Sequence, residues 1–173
     1  FKKSNTMRKL LLLLFVTSLF QLNAQNISIT KDGITDYVVS DCEGIKKDVM
    51  YSKAIEWVNF TFKNPSEVLI TNLENNLIRL EFSETSTPIK KFVIDIQFRD
   101  NRYKFDPISI MFPTVPVPSN DFLGTLNKYF KKDGSLKSRT ARTVKSVQSI
   151  LNSTNVSLKN YINGVDNKQE DDW

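Results

Sequence analysis

The reactive side chains of this chain are carboxylates, lysines, serines and one cysteine, because its 173 residues include no histidine. Without histidine the chain cannot build a Ser-His-Asp triad, a Cys-His dyad or a His-liganded metal site. The single cysteine, Cys42, excludes an intrachain disulfide and a cysteine-rich zinc site. Because Asp41 and Glu43 flank it, a thiolate is disfavoured there, and we expect Cys42 to be a small buried side chain.

Two further patterns of reactive residues are weak. Five carboxylates fall within seventeen residues: Asp32, Asp36, Asp41, Glu43 and Asp48. Neither the facing pair that glycoside hydrolysis needs nor the regular spacing of a calcium loop is present among them. Ser28-Ile-Thr-Lys31 matches the Ser-x-x-Lys pattern of acyl transfer, but no Lys-Thr-Gly accompanies it and we expect this N-terminal segment to be mobile. The sequence therefore predicts a protein that is not an enzyme, with no metal site and no cofactor.

Residues 1–24 are predicted to be a cleaved signal peptide. Two basic residues follow Met7, residues 10–16 are seven uninterrupted apolar residues, and a cleavage point follows at Ala24. Polar residues interrupt the apolar run too early for a membrane anchor, which needs about 20 apolar residues. We therefore expect an exported protein, periplasmic or extracellular, with no membrane span after cleavage.

Loss of this segment changes the charge balance of the chain. The whole sequence has a formal net charge of +5, from 24 basic and 19 acidic residues. Four of the basic residues and none of the acidic ones lie in residues 1–24, which leaves a net charge of +1. Nucleic-acid binding depends on a strong positive field, so we expect no nucleic-acid partner. The expected partner is an unknown protein or another component of the cell envelope.

Periodicity predicts one helix followed by several strands in the first part of the mature chain. A short strand is expected at 37–41. Apolar residues at intervals of three to four then predict a helix over 50–63, which Asn64-Pro65 ends. In this interpretation the helix lies on a sheet and buries Trp57.

The strands that follow are predicted from alternation of apolar and polar residues. Residues 92–98 show the cleanest period of two, and residues 77–82 show another. Asp100-Asn101 forms a turn, and a parity shift at Asp106-Pro107 predicts a bulge or a new edge strand. Short polar turns between consecutive strands favour an antiparallel sheet of four to five strands, so the predicted fold class is α+β.

The C-terminal part is predicted to be helical. A Pro-rich connector at 113–118 leads into a helical region at 119–165, and residues 166–173 are expected to be a disordered tail. A short helix is predicted at 121–130, and a long one from Ser138 to Gly164. The long helix carries a narrow apolar stripe: Val144, Val147, Leu151, Thr154, Leu158 and Tyr161. It either packs along the domain or binds a partner.

The segment 51–68 carries a resemblance to a known family. It contains Ala-x-x-Trp, five further residues, and then Lys-Asn-Pro-x-Glu-Val. The segment resembles the exported bacterial domain of unknown function four-four-six-eight, which has a TATA-binding-protein-like fold. Asp100-Asn-Arg-Tyr-Lys-Phe105 fits a later strand of that family, and the likeness runs from about Asp36 to Phe112. This resemblance implies a domain at 36–112 with a helix after the first strand, an antiparallel sheet and a closing helix. It implies no catalytic residues.

The polar face of the predicted sheet and the closing helix are the expected contact surface of a non-catalytic binding or interaction module. The candidate binding residues lie on one strand and on the long helix: Asp95, Gln97, Arg99, Arg139, Arg142 and Lys145. Two alternatives stay open. One is an enzyme inhibitor or immunity-like partner on the same scaffold, and the other is a histidine-free hydrolase that uses carboxylates or lysine.

Overall fold

A computed structural model describes four segments of the chain: residues 26–34, 37–84, 90–111 and 128–165. Several predictions lie outside these segments, namely the signal peptide at 1–24, the Pro-rich connector at 113–118, the first part of the helix at 121–130 and the tail at 166–173.

The described residues form seven strands, two long helices and one helical turn. The strands are β1 (Ile29–Thr30), β2 (Gly33–Ile34), β3 (Val38–Asp41), β4 (Leu69–Leu73), β5 (Leu77–Glu84), β6 (Lys90–Arg99) and β7 (Arg102–Met111). The helices are α1 (Lys47–Thr61), the helical turn α2 (Pro65–Val68) and α3 (Ser138–Asn163). Strands β1 and β2 form a small separate hairpin, and the other five form one antiparallel sheet in the order β3-β7-β6-β5-β4. The predicted α+β fold class is confirmed.

One side of this sheet, here called the covered face, is apolar and buried. Its side chains are Val38, Ser40, Ile78, Leu80, Phe92, Ile94, Ile96, Phe98, Tyr103 and Phe105. Both long helices lie on it. The ring of Tyr51 on α1 meets Phe98 edge-on at 6.0 Å, and Tyr103 on β7 donates a hydrogen bond to the side chain of Asn155 on α3. Trp57 on α1 is 2% exposed, as the sequence predicts, and its indole N–H donates to Ser157 Oγ on α3 at 3.0 Å.

The hairpin between β6 and β7 also holds the start of α1. Asn101 has a φ of 66°, a left-handed conformation that asparagine adopts more readily than most residues. Its side-chain oxygen accepts from the backbone N–H of Gly44, and its backbone carbonyl accepts from Cys42. Lys46, at the N-cap of α1, makes no side-chain cap, but Asp100 accepts from the Lys47 amide at 3.0 Å. A carboxylate from the hairpin therefore caps the helix, where it also favours the helix dipole.

The parity shift in β7 is a bulge. Val93 pairs with Ser109 and Ile94 with Pro107, so Ile108 has no register partner in β6. Of the two predicted alternatives, the bulge is therefore correct, and the strand continues through it. Ile108 is left 47% exposed.

Three local predictions are wrong or shifted. Helix α1 begins three residues before position 50 and ends at Thr61, and Pro65 opens α2 because proline is well tolerated in a first helical turn. Residues 128–130, at the end of the helix predicted at 121–130, form a turn and a bridge between Phe130 and Leu136. In the apolar stripe predicted on α3, Thr154 and Tyr161 are only partly buried. The residues that follow them, Asn155 and Ile162, are buried instead.

The N-terminal segment packs against α3, so the expectation that it is mobile is wrong. Ile27 is fully buried and Ile29 is 8% exposed. The amide group of Asn152 on α3 both accepts from the backbone N–H of Ile27 at 2.8 Å and donates to its carbonyl at 3.0 Å. One polar side chain thus substitutes for a strand partner, 125 residues away in the sequence.

Candidate binding face

The side of the sheet opposite α1 and α3 is here called the open face. It carries the residues that alternate along each strand with those of the covered face. Its side chains are Val39, Leu73, Leu77, Arg79, Glu81, Lys91, Val93, Asp95, Gln97, Arg99, Arg102, Lys104 and Asp106. In the described part of the chain, the helices and the N-terminal hairpin lie on the other side of the sheet. Asp41 on β3 also lies on this face. The open face is mixed in character, with charged, amide and aliphatic groups that are half-buried or exposed, except for Asp95, which is buried.

Most of the charges on the open face neutralise one another. Arg79 on β5 donates two hydrogen bonds to Asp95 on β6, from Nε at 2.5 Å and from Nη2 at 2.7 Å. Lys91 forms an ion pair with Glu81 across the same two strands. On β7, Lys104 Nζ lies 2.7 Å from Asp106 Oδ2. These pairs account for every carboxylate on β5, β6 and β7 that the open face presents.

Two arginines remain at the hairpin end of the open face. Arg99 and Arg102 are register partners directly across the β6–β7 hairpin, and both are exposed. Asp41 on β3 lies opposite Arg102 in register, but among the described residues neither arginine forms an ion pair. Like charges directly opposite each other in a sheet destabilise it. Since Asp41 is the one carboxylate of the described strands in register with these two arginines, the hairpin end of the open face keeps an excess of positive charge.

A cleft of about 350 Å³ lies beside these arginines. It is lined by Tyr37, Val39, Gln97, Arg99, Arg102, Tyr103 and Lys104. The ammonium group of Lys104 lies 4.6 Å from the centre of the Tyr37 ring, which holds both side chains at the cleft wall. The cleft is in the size range of small ligand sites and combines cations, an aromatic ring and an amide.

Two leucines that the helices leave uncovered lie at the edge of the sheet opposite the cleft. Register places five residues in one row across the strands: Val39, Lys104, Gln97, Leu77 and Leu73. Leu73 is 56% exposed and Leu77 is half-buried. The same row therefore runs from the cationic cleft to an uncovered leucine on the edge strand.

The structure brings some of the predicted site residues together and separates others. Gln97 and Arg99 lie side by side on the open face and line the cleft. The prediction that Asp95 is exposed is wrong. Asp95 is only 4% exposed, and its carboxylate accepts two hydrogen bonds from Arg79. The other predicted residues, Arg139, Arg142 and Lys145, are exposed on α3, which packs on the covered side, so they do not join the cleft.

Sequence reasoning missed Tyr37, Arg102 and Lys104. A signal for two of them was present in the chain. The two-residue turn at Asp100-Asn101 requires Arg102 to face Arg99, and the period of two then places Lys104 on the same side. Tyr37 comes from a segment far away in the sequence, and only the pairing of β3 with β7 places it there.

Two acidic side chains, Cys42 and Tyr103, are buried away from the open face. Cys42 is 1% exposed, and burial raises the pKa of its thiol, which confirms the buried side chain that the sequence predicts. Burial also raises the pKa of Tyr103, whose hydroxyl donates to Asn155 Oδ1 at 2.8 Å on the covered face. Across the described segments, no group of three or more histidine, cysteine or acidic side chains is placed to hold a metal ion.

With its five-stranded antiparallel sheet, α1 on that sheet and the closing α3, the chain has the TATA-binding-protein-like α+β fold. Two solved structures share it. One is a TBP-like protein from Parabacteroides distasonis, with a TM-score of 0.51 and 13% identity over 73% of this chain and 90% of that one. The other is a DUF4468 family protein from Bacteroides ovatus, with a TM-score of 0.55 and 10% identity over 84% of this chain and 94% of that one. The resemblance found in the sequence is thus confirmed at the level of the fold.

The comparisons at the level of sequence add no assignment. The chain matches no protein-family model. A search of curated proteins likewise gives no match. In the part of the chain that the structure describes, no helix has the length and apolar character needed to cross a membrane.

Proposed function

We propose that the protein is an exported, non-catalytic binding module whose contact surface is the open face of the sheet. The proposal of export is supported by residues 1–24, in which basic residues are followed by an apolar run and then by a cleavage point for signal peptidase. The binding role rests on one observation. The covered face is packed with apolar side chains under two helices, whereas the open face presents a cleft, two arginines that form no ion pair among the described residues, and an exposed leucine. A fold does not need such groups for its own stability, so a partner is their most direct explanation.

The arrangement of the carboxylates supports a non-catalytic role. Asp95 and Asp106 are register partners across β6 and β7, the kind of facing pair that acid–base hydrolysis uses. Each is bonded to its own cation, Arg79 or Lys104, so both carboxylates are engaged within the sheet and neither is free to flank the bond of a substrate.

Capture of partners from an envelope extract tests the proposal. The purified mature chain is immobilised, and captured proteins are identified by mass spectrometry and compared between variants. Leu73→Glu combined with Gln97→Glu changes two exposed residues of the open face. The matched control is Val156→Glu combined with Ser149→Glu, which adds the same two charges at exposed positions on α3, where Val156 is 52% exposed. Both variants are checked for an unchanged far-UV circular dichroism spectrum and melting temperature.

We expect the open-face variant to lose the proteins that the wild type captures and the α3 variant to retain them. The reverse pattern would assign the contact surface to α3. Equal capture by all three proteins would contradict a role for either surface.

A further inference from the structure

We propose that the hairpin end of the open face binds an acidic segment of a partner protein, with Arg99 and Arg102 as the anion-binding residues. This inference rests on the proposed function and deepens it, because it names the chemistry that the partner presents. It depends on charge, on the chemistry of arginine and on the two leucines at the far end of the row that crosses the sheet from the cleft.

The charge argument starts from the pairs already formed. Asp95, Glu81 and Asp106 each hold a cation of the same face, which leaves Asp41 on the edge strand β3 as the one described carboxylate in register with the two arginines. Arg99 and Arg102 face each other and repel. A bound anion between them converts this repulsion into two attractions, so complementarity selects a negatively charged partner.

Arginine also restricts the form of the anion. A guanidinium group presents donors in a planar fork that matches a carboxylate in a bidentate manner. Tyr37 and Gln97, on the cleft wall, add a hydroxyl and an amide at the same site. Arginine and tyrosine are also the residues that most often dominate the energy of protein–protein interfaces.

The two leucines at the end of the row distinguish a protein segment from a free anion as the ligand. Leu73 and Leu77 belong to the same row as Gln97 and Lys104, across a span of about 19 Å between the outer strands. An inorganic anion in the cleft would leave these leucines in water. An extended acidic segment with an apolar side chain can satisfy the arginines and cover the leucines together, which gains the free energy of apolar burial as well.

Selection from a display library of random short peptides tests the proposal, with the whole mature chain as the bait. Enriched peptides are synthesised and their dissociation constants measured by calorimetry against three proteins. These are the wild type, Arg99→Gln with Arg102→Gln, and Arg139→Gln with Arg142→Gln. The last variant removes the same two positive charges from exposed positions on α3 and so controls for net charge.

We expect the selected peptides to be enriched in aspartate and glutamate together with apolar residues. Their affinity is expected to fall at least about tenfold in the Arg99/Arg102 variant, the loss typical of a central interface arginine. In the Arg139/Arg142 variant it is expected to stay within about twofold, since distant surface charges act only weakly through salt. Lysine in place of both arginines is expected to restore only part of the affinity, because lysine lacks the fork.

Three results would overturn the inference. One is a selection without acidic enrichment, and another is equal binding to the wild type and the Arg99/Arg102 variant. The third is binding of inorganic phosphate that depends on both arginines, with no acidic peptide selected. If the envelope partners are still lost on Leu73→Glu with Gln97→Glu, the proposed function stands and only the anion chemistry fails.

Discussion

At the scale of single residues, one buried amide decides how the sheet and the long helix fit together. Asn155 is 7% exposed and lies in the middle of α3. Its side-chain oxygen accepts from the Tyr103 hydroxyl at 2.8 Å and from Ser40 Oγ at 3.4 Å. Because a buried polar group is costly without partners, these bonds favour one position of α3 along the strands.

Two buried acids near this contact are expected to make the fold less stable at high pH. Burial raises the pKa of Tyr103 and of Cys42 in the folded chain, so both stay protonated there when the unfolded chain has lost its protons. The stability that they contribute is complete below their ordinary pKa values, about 10 and about 8.5, and is lost as the pH rises above them. Urea unfolding followed from about pH 8 to about pH 11 measures the effect, at up to about 1.4 kcal/mol per pH unit for each group.

The two groups can be separated by substitution. Cys42→Ala is expected to flatten the fall in unfolding free energy from about pH 8.5 upward, and Tyr103→Phe only above about pH 10. Each variant serves as the control for the other, because they act in different pH ranges. An identical pH profile for the wild type and both variants would show that neither group carries the effect.

At the scale of elements, register between neighbouring strands determines which charges on the open face are satisfied. The antiparallel pairing of β5 with β6 places Arg79 opposite Asp95 and Glu81 opposite Val93. Lys91 then reaches Glu81 diagonally. A shift of one residue in either strand would reverse the faces and separate all of these pairs.

Loss of the Arg79 side chain is expected to be more damaging than loss of Lys91. The two cations have nearly equal side-chain exposure, 38% and 39%, but Asp95 is 6% exposed and Glu81 is 31% exposed. Arg79→Met leaves a buried carboxylate without its partner, so we expect a loss of about 1–3 kcal/mol in unfolding free energy. Lys91→Met leaves a solvated one, and we expect less than about 1 kcal/mol. Chemical denaturation of both variants measures the difference, and equal losses would contradict a special role for burial at Asp95.

At the scale of the whole molecule, both helices and the sheet share one hydrophobic core. Buried residues of α3 join it at five positions: Val144, Val147, Leu151, Leu158 and Ile162. The N-terminal segment joins it through Ile27, and α1 joins it through Trp57. The described parts of the chain on both sides of the Pro-rich connector therefore contribute to a single packing unit.

Truncation of one α3 side chain tests this shared core. Leu151 is fully buried, so Leu151→Ala is expected to lower the unfolding free energy by about 2–5 kcal/mol. Because the core is shared, the transition is expected to stay single. Far-UV circular dichroism and the indole N–H resonance of Trp57, which reports the sheet side and its bond to Ser157, should lose their native signals together. Loss of helix signal before the Trp57 resonance changes would indicate an independent C-terminal unit.

The sequence by itself determined the local structure, because that depends on near neighbours. The alternation through Phe92 and Phe98 is readable as a strand, and the spacing of Ala54, Trp57 and Val58 is readable as a helix on a sheet, since periods of two and 3.6 follow from backbone geometry alone. The absence of histidine likewise limits the available chemistry without any structure. The parity shift at Asp106-Pro107 predicted an irregularity there, but the choice between a bulge and a new edge strand came from the register of β6 with β7.

Only the tertiary structure decided which of these residues form a site. Asp95, Gln97 and Arg99 are equivalent by alternation, yet Asp95 is paired through β5 and Arg99 is not, because pairing depends on register with a strand distant in sequence. The grouping of Tyr37 with Lys104, and the placement of Arg139 away from both, depend on strand order and on the side where α3 packs. Long-range packing sets these choices, and local spacing carries no information about it.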